Sequence, residues 1–195
     1  VALGFSLPAD GACVNMGGLR IFRGRRALQP CFELWSDSVT AIEALKVRLE
    51  GLGVVFVSQT QMHLARIAAG VPSVPDEIGS GDLPGEGALV GTGVSLTKGC
   101  YLGQEVVARM HNIGRPQRAL FRVSGAEAAP ICPIALYNAE SKKVGELRSA
   151  FSTPKGWLGV ALLKTRYAVV GESLKHDSGS VEIQALFSAE HEGAE

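Results

Sequence analysis

The hydrophobic period changes once along this chain, and that change limits the folds open to it. In the first part, apolar residues recur at helical spacing or in short runs. From Ala119 onward they form short β segments at 119–123, 131–137, 143–150, 156–163 and 181–187, separated by glycines and Pro154. Brief segments punctuated by turn residues predict a small sandwich or barrel. The period shift sets a boundary near 117–128. Residues 1–117 are expected to form a mixed α/β domain and residues 118–195 a β domain, so the fold class is α+β.

The first part contains its own strand and helix signals. Gly17-Gly18 marks a turn, and Leu19-Arg20-Ile21-Phe22-Arg23 and Cys31-Phe32-Glu33-Leu34-Trp35 read as strands within a β region over 12–35. Asp37 or Ser38 supplies an N-cap for a helix whose apolar face carries Val39, Ile42, Leu45 and Leu49, with Gly51 as its C-cap. Val54 to Val57 reads as a buried strand, and Thr60 to Ala69 as a helix closed by Gly70. Residues 71–93 then hold Asp76, Glu77, Asp82 and Glu86 and no basic residue. Loops of that length inside a domain tend to be functional or mobile.

Composition narrows the function classes. Of 195 residues 46% are hydrophobic, which excludes global disorder, and 19 basic residues balance 19 acidic ones, which argues against a polybasic or polyacidic binder. No apolar run approaches the roughly 20 residues of a spanning helix, and no signal-peptide pattern opens the chain. Cys13, Cys31, Cys100 and Cys132 share no CxxC spacing, which predicts free thiols in a reducing, cytoplasmic setting. The four histidines show no metal spacing, and no metal site is expected.

Cys100 is the sharpest chemical feature. It sits between two glycines, beside Lys98 and just ahead of a helix start, where a cation and the positive helix end both favour thiolate. Its alternative reading is a small buried hydrophobe, the reading that fits Cys13, Cys31 and Cys132. Glu86, in a Pro84-Gly85-Glu86 turn, is either a solvated acid or a carboxylate that accepts paired N–H donors from a heterocycle. Arg20, Arg23, Arg25 and Arg26 read as a solvated face. Lys98, Arg109, His111, Arg115, Arg118 and Arg122 form a second basic cluster, suited to a polyanionic tail. Nucleic acid is disfavoured there because stacking aromatics are scarce.

Lys98-Gly99-Cys100-Tyr101-Leu102-Gly103-Gln104-Glu105 resembles the Lys-Gly-Cys-Tyr-x-Gly-Gln-Glu signature of the YgfZ branch of the YgfZ/GcvT family. Arg66-Ile67-Ala68-Ala69-Gly70-Val71-Pro72 is similar to its Arg-x-Glu-Ala-Gly-x-Pro segment, with Ala68 in place of Glu. Pro84-Gly85-Glu86 is similar to its Pro-x-Glu, and Val144-Gly145-Glu146-Leu147 with Ser149, Pro154 and Gly159 to its barrel segment. The resemblance runs from about residue 30 to about residue 165. It implies the C-terminal part of a GcvT-like fold: a partial folate-binding α/β domain, then a small antiparallel β-barrel.

The resemblance further implies a tetrahydrofolate- or folinic-acid-binding accessory protein for iron–sulfur cluster assembly or repair, with iron–sulfur client proteins as partners. Cys100 would be its functional thiol. Glu86 would bind the pterin, Arg118 would lie near the folate, and Lys98, Tyr101 and Gln104 would shape the Cys100 turn. Two alternatives accompany it: an aminomethyltransferase of the glycine cleavage T-protein kind, and a tRNA- or protein-interaction module using the basic residues from Arg109 to Arg122. Because the family's first folate-contacting segment has no counterpart here, the chain is read as part of a longer protein. Homodimerisation through the surface left uncovered is therefore expected.

Overall fold

The computed structural model describes residues 7–95, 97–113 and 116–188, with 109–113 described by their backbone alone. The chain divides into two compact units, 1–69 and 70–195.

In the first unit, β1 (Cys13–Met16), β2 (Leu19–Gly24) and β3 (Cys31–Trp35) form an antiparallel sheet in that order. Gly17 and Gly18 make the β1–β2 turn, both with positive φ, which glycine adopts without a Cβ penalty. Alternation along β2 buries Leu19 and Ile21 while Arg20 stays exposed. Arg23 pairs with Asp10 and Arg26 with Glu33, in keeping with a charged, solvated hairpin.

Helix α1 (Val39–Gly51) is capped by the Ser38 side chain, which accepts from the Ala41 N–H. The C-cap differs from the expectation at Gly51. That residue is the last helical one, and the backbone turns left-handed at Gly53, whose N–H returns to the Glu50 carbonyl. The expected apolar face is only partly covered: no α1 residue is fully buried, and Val39 is 72% exposed. Val54 to Val57 corrects the sequence reading outright. It is not a strand, and all four residues are exposed, Val55 to 82%. A run of β-branched residues becomes a strand only where another strand takes up its hydrogen bonds, and none pairs here among the described residues. Helix α2 (Gln59–Ala68) starts with a reciprocal capping box between Ser58 and Gln61, and Gly70 follows its end with φ 67°.

The second unit opens with the acidic segment, which winds through turns to a single helical turn, α3 (Val90–Gly93). Helix α4 (Gln104–Ile113) follows. Val106 is 49% exposed, and the side chains of Arg109, His111 and Arg115, named in the second basic cluster, lie outside the described ones.

Six strands then close a barrel in the order β4-β7-β6-β5-β8-β9, every neighbour antiparallel. They are β4 (Arg118–Gly125), β5 (Ile134–Tyr137), β6 (Lys143–Thr153), β7 (Gly156–Lys164), β8 (Ser173–His176) and β9 (Gly179–Leu186). Five match the period-two segments of the sequence. The sixth, β8, escapes that reading because its four residues carry only one apolar side chain, Leu174. The barrel core contains Phe121, Val123, Leu136, Leu147, Trp157 and Ile183, each at most 6% exposed. Each large apolar side chain buried this way contributes about 1.5–3 kcal/mol. Among the described residues no helix is long and apolar enough to cross a membrane.

Packing between β6 and β7 is tight enough to require glycine at Gly159. A Cβ there would run into the Ser149 carbonyl oxygen of the neighbouring strand, a backbone atom that cannot swing aside. Gly159→Ala is therefore expected to destabilise the barrel by about 1–3 kcal/mol. Urea denaturation read by protection of barrel amides from hydrogen exchange checks this; an unchanged midpoint would refute the packing argument.

Candidate functional site

Two clusters in the second unit carry the residues singled out by sequence. The first forms where the acidic segment lies against the barrel. Glu86 is 6% exposed, and the Arg118 guanidinium grips it from the first residue of β4, Nε to Oε1 at 2.8 Å and Nη2 to Oε2 at 2.9 Å. Oε2 also accepts the Leu83 N–H at 2.9 Å, closing the turn at Pro84-Gly85. Such a forked arginine–carboxylate pair fixes orientation as well as charge. Arg118 is held firmly protonated, chiefly by the hydrogen bond to Glu86 and against the cost of its burial, with Asp82 adding to the attraction.

Asp82, likewise 6% exposed in its side chain, sits between two guanidinium groups, Arg118 at 3.3 Å and Arg148 of β6 at 3.4 Å. Its other oxygen accepts the Gly79 N–H at 3.0 Å. Arg148 Nε approaches Glu146 Oε1 to 3.1 Å, yet the angle makes no hydrogen bond. Glu77 is fully buried, accepts the Ser73 N–H at 2.8 Å and receives the Ser149 hydroxyl. The backbone joins in, with the Leu120 N–H donating to the Glu86 carbonyl at 2.9 Å. Sequence reasoning found Glu86 and Arg118 but gave no role to Asp82, Glu77 or Arg148. The available signal was the lack of any cation within 71–93, because acids drawn into the packing demand partners from elsewhere in the chain.

The second cluster is the turn around Cys100. The Gln104 side chain accepts the Tyr101 N–H at 3.2 Å, and Gly103 takes φ 86° to start α4. Lys98 Nζ lies 4.7 Å from the Tyr101 ring centroid, and the Lys98 N–H donates to the Ser95 hydroxyl at 3.1 Å. Lys98, Tyr101 and Gln104 thus meet in one turn. Cys100 stands exposed within it, not in the core, and Leu102 beside it is fully exposed. Among the described residues no hydrogen bond or ion pair joins this turn to the Glu86–Arg118 pair.

The other thiols differ. Cys13 is exposed, which corrects its reading as a small buried hydrophobe; it lies at the edge strand of a three-stranded sheet. Cys132 is half-buried, and burial, helped by the nearby Glu77 charge, pushes its pKa up to about 11. Among the described residues no group of three or more His, Cys, Asp or Glu side chains could hold a metal ion.

A helix-bearing segment fastened to a six-stranded antiparallel barrel defines the class. The fold is that of the glycine cleavage system aminomethyltransferase T from Bartonella henselae, with a TM-score of 0.70 over 88% of this chain and 50% of that one, at 17% identity. Sequence homology leads to a particular group. The iron-sulfur cluster assembly factor IBA57, mitochondrial, of Mus musculus is 35% identical over 108 residues, 53% of this chain. The tRNA-modifying protein YgfZ of Colwellia psychrerythraea is 38% identical over 94 residues, 48% of this chain. These matches span 30% and 28% of the relatives' own lengths. No protein-family model matches the chain. Over about half of its length the chain is homologous to IBA57 and YgfZ proteins, and its fold is GcvT-like.

Thiol chemistry separates the cysteines. An increase from 9.0 to about 11 lowers the thiolate fraction of Cys132 by about 100-fold at pH 8. Limited iodoacetamide at that pH should label exposed Cys100 and Cys13 first and leave Cys132 unmodified, as read by peptide mass spectrometry. Early labelling of Cys132 would contradict its placement.

Proposed function

We propose that this chain is a folate-binding, YgfZ-like accessory factor for iron–sulfur cluster assembly or repair, with Cys100 as its functional thiol. The observation that carries the reading is the exposed Cys100, held on the turn that Gln104 and Tyr101 close, in a homologue of IBA57. A thiol built for packing would be sequestered, whereas this one is open to a partner, a cluster or an oxidant.

The folate half of the proposal rests on Glu86 and Arg118. Glu86 Oε1 carries one donor and Oε2 two, so the carboxylate has capacity for a further N–H. A pterin that takes two bonds side by side needs Arg118 to release one of its two. The freed guanidinium N–H would then suit a pterin carbonyl oxygen beside it. Arg122 adds to the fit: its Nε is buried without a hydrogen-bond partner among the described residues, four positions along β4 from Arg118. Lys98, Tyr101 and Gln104 serve as positioning residues for Cys100.

A second reading, an aminomethyltransferase, is favoured by the fold likeness alone. Catalysis there would consist mainly of positioning two cofactors. The tRNA reading draws on the name of the YgfZ relatives. Iron–sulfur proteins are the proposed clients. Self-association is proposed through the apolar residues that the first unit exposes, among them Trp35, Val39 and Val55; sedimentation at several concentrations giving only monomer would refute it.

Two measurements test the main proposal. Cys100→Ser in the longest available version of the protein should reduce the activity of a cluster-dependent enzyme in cells at least about tenfold while folinic acid binding persists; undiminished activity refutes the thiol role. Isothermal titration with folinic acid should show binding that Glu86→Ala weakens by about tenfold or more, the worth of one charge-assisted pair. Equal affinity would refute the pterin role. One-carbon transfer from a lipoylated carrier by the same preparation would favour the aminomethyltransferase.

A further inference from the structure

The sheet of the first unit presents a row of side chains that neither cluster of the second unit uses. Register places Asn15 of β1 opposite Arg20 of β2, and Arg20 opposite Trp35 of β3. The three side chains therefore leave the same face, with neighbouring Cβ atoms about 5 Å apart. They line a cleft of about 710 Å³ together with Asp37, Leu34 and Ile42. Trp35 is 58% exposed, and Phe22 meets its ring at 5.6 Å between centroids and 75° between planes, which holds the indole in one orientation. Arg20 is exposed and has no ion pair or ring contact among the described residues. The charges near it on the hairpin are already matched, Arg23 with Asp10 and Arg26 with Glu33. Asp37 is the one carboxylate among the residues that line the cleft.

An oriented indole beside an unmatched guanidinium suits a ligand that combines a flat ring with an anion. An apolar partner would cover Arg20 without a counter-charge, and a bare anion would leave the indole idle. We propose that the Asn15–Arg20–Trp35 row binds one nucleotide, either free or at the end of a single-stranded RNA. The base stacks on Trp35, an interaction open to every base because each has a π-face. The phosphate takes the forked N–H donors of Arg20, with the Asn15 amide N–H beside them. Asp37, two residues beyond Trp35, accepts from the ribose hydroxyls, and its charge keeps the phosphate at the Arg20 end. The cleft volume falls within the roughly 300–1,000 Å³ of small-ligand sites, and one exposed ring serves one base. The site stands apart from the folate reading and needs neither Glu86 nor Arg118.

The test follows the two indole N–H resonances and the β2 amides of the isotope-labelled full chain during titration with AMP. Trp157 lies in the barrel core at 2% exposure and is the internal control. Trp35 also belongs to the apolar set proposed for self-association, so the titration is run at concentrations where sedimentation gives monomer. AMP is expected to move the Trp35 resonance saturably and leave Trp157 in place. Ribose phosphate, which lacks the base, should bind about tenfold more weakly than AMP, and Trp35→Ala should weaken AMP by about the same factor, the scale of one base stack. Adenosine, which lacks the phosphate, should bind about threefold more weakly, and Arg20→Gln should weaken AMP to that level without changing adenosine. The same spectra verify that each variant folds. The trinucleotide pApApA distinguishes the sources: affinity well above that for AMP assigns the site to an RNA end, and affinity no greater assigns it to a free nucleotide, each in support. A Trp35 resonance unmoved by millimolar AMP overturns the inference, and so does AMP binding that Trp35→Ala leaves intact. Folinic acid that moves the same resonance and displaces AMP would give the cleft to the pterin and overturn it too. An unmoved Trp35 leaves the folate reading untouched, because that reading is tested at Glu86.

Discussion

The second unit depends on the pairing of buried acids with barrel arginines. Glu77, Asp82 and Glu86 sit in a segment without a cation of its own, and each is removed from water. Charges in that position are tolerated only when paired and fully hydrogen-bonded. Arg118 and Arg148 arise from strands that flank β7, so one carboxylate, Asp82, spans the outer face of the barrel between them. Apolar packing alone could slide; forked, charge-assisted contacts have one register. The network therefore locates the segment that precedes the Cys100 turn, and it holds Glu86 in the orientation that the proposed ligand needs.

The network also explains why the acidic segment resisted reading as a sequence. Helices and strands announce themselves by period, and the period shift at 119 pointed to a sandwich or a barrel after an α/β region; the structure is the barrel. The capping box at Ser58 and Gln61 and the paired glycines at 17 and 18 were equally visible, because those interactions are local. Asp82 and Arg148 lie 66 positions apart, and nothing local relates them. Val54 to Val57 failed for the opposite reason. Their β propensity was real, but a strand is a relation between two chains of residues and not a property of one. At the site, local sequence singled out Cys100 and the turn acid Glu86, whereas the barrel arginine that grips Glu86 was set by topology.

Cys100 and Glu86, the two residues of the proposed site, are held in two different ways. The acid is immobilised by its own bonds, three donors on one carboxylate. The thiol is carried by its backbone: Gln104 and Gly103 shape the turn, Lys98 stacks on Tyr101, and the sulfur itself is left uncommitted. A group meant to discriminate gains from the first arrangement. A group meant to exchange electrons or partners gains from the second, since bonds to the sulfur would have to break at each encounter.

Barrel closure has a bearing on how such chains can be rearranged. With β4 bonded to both β7 and β9, the sheet ends nowhere, and no row of free amides is offered to a stranger. Among the described residues the ribbon β1-β2-β3 has two open borders. A barrel of this kind can be fused, displayed or moved between genes as a self-sealed module, whereas the ribbon has to bring company to stay out of aggregates.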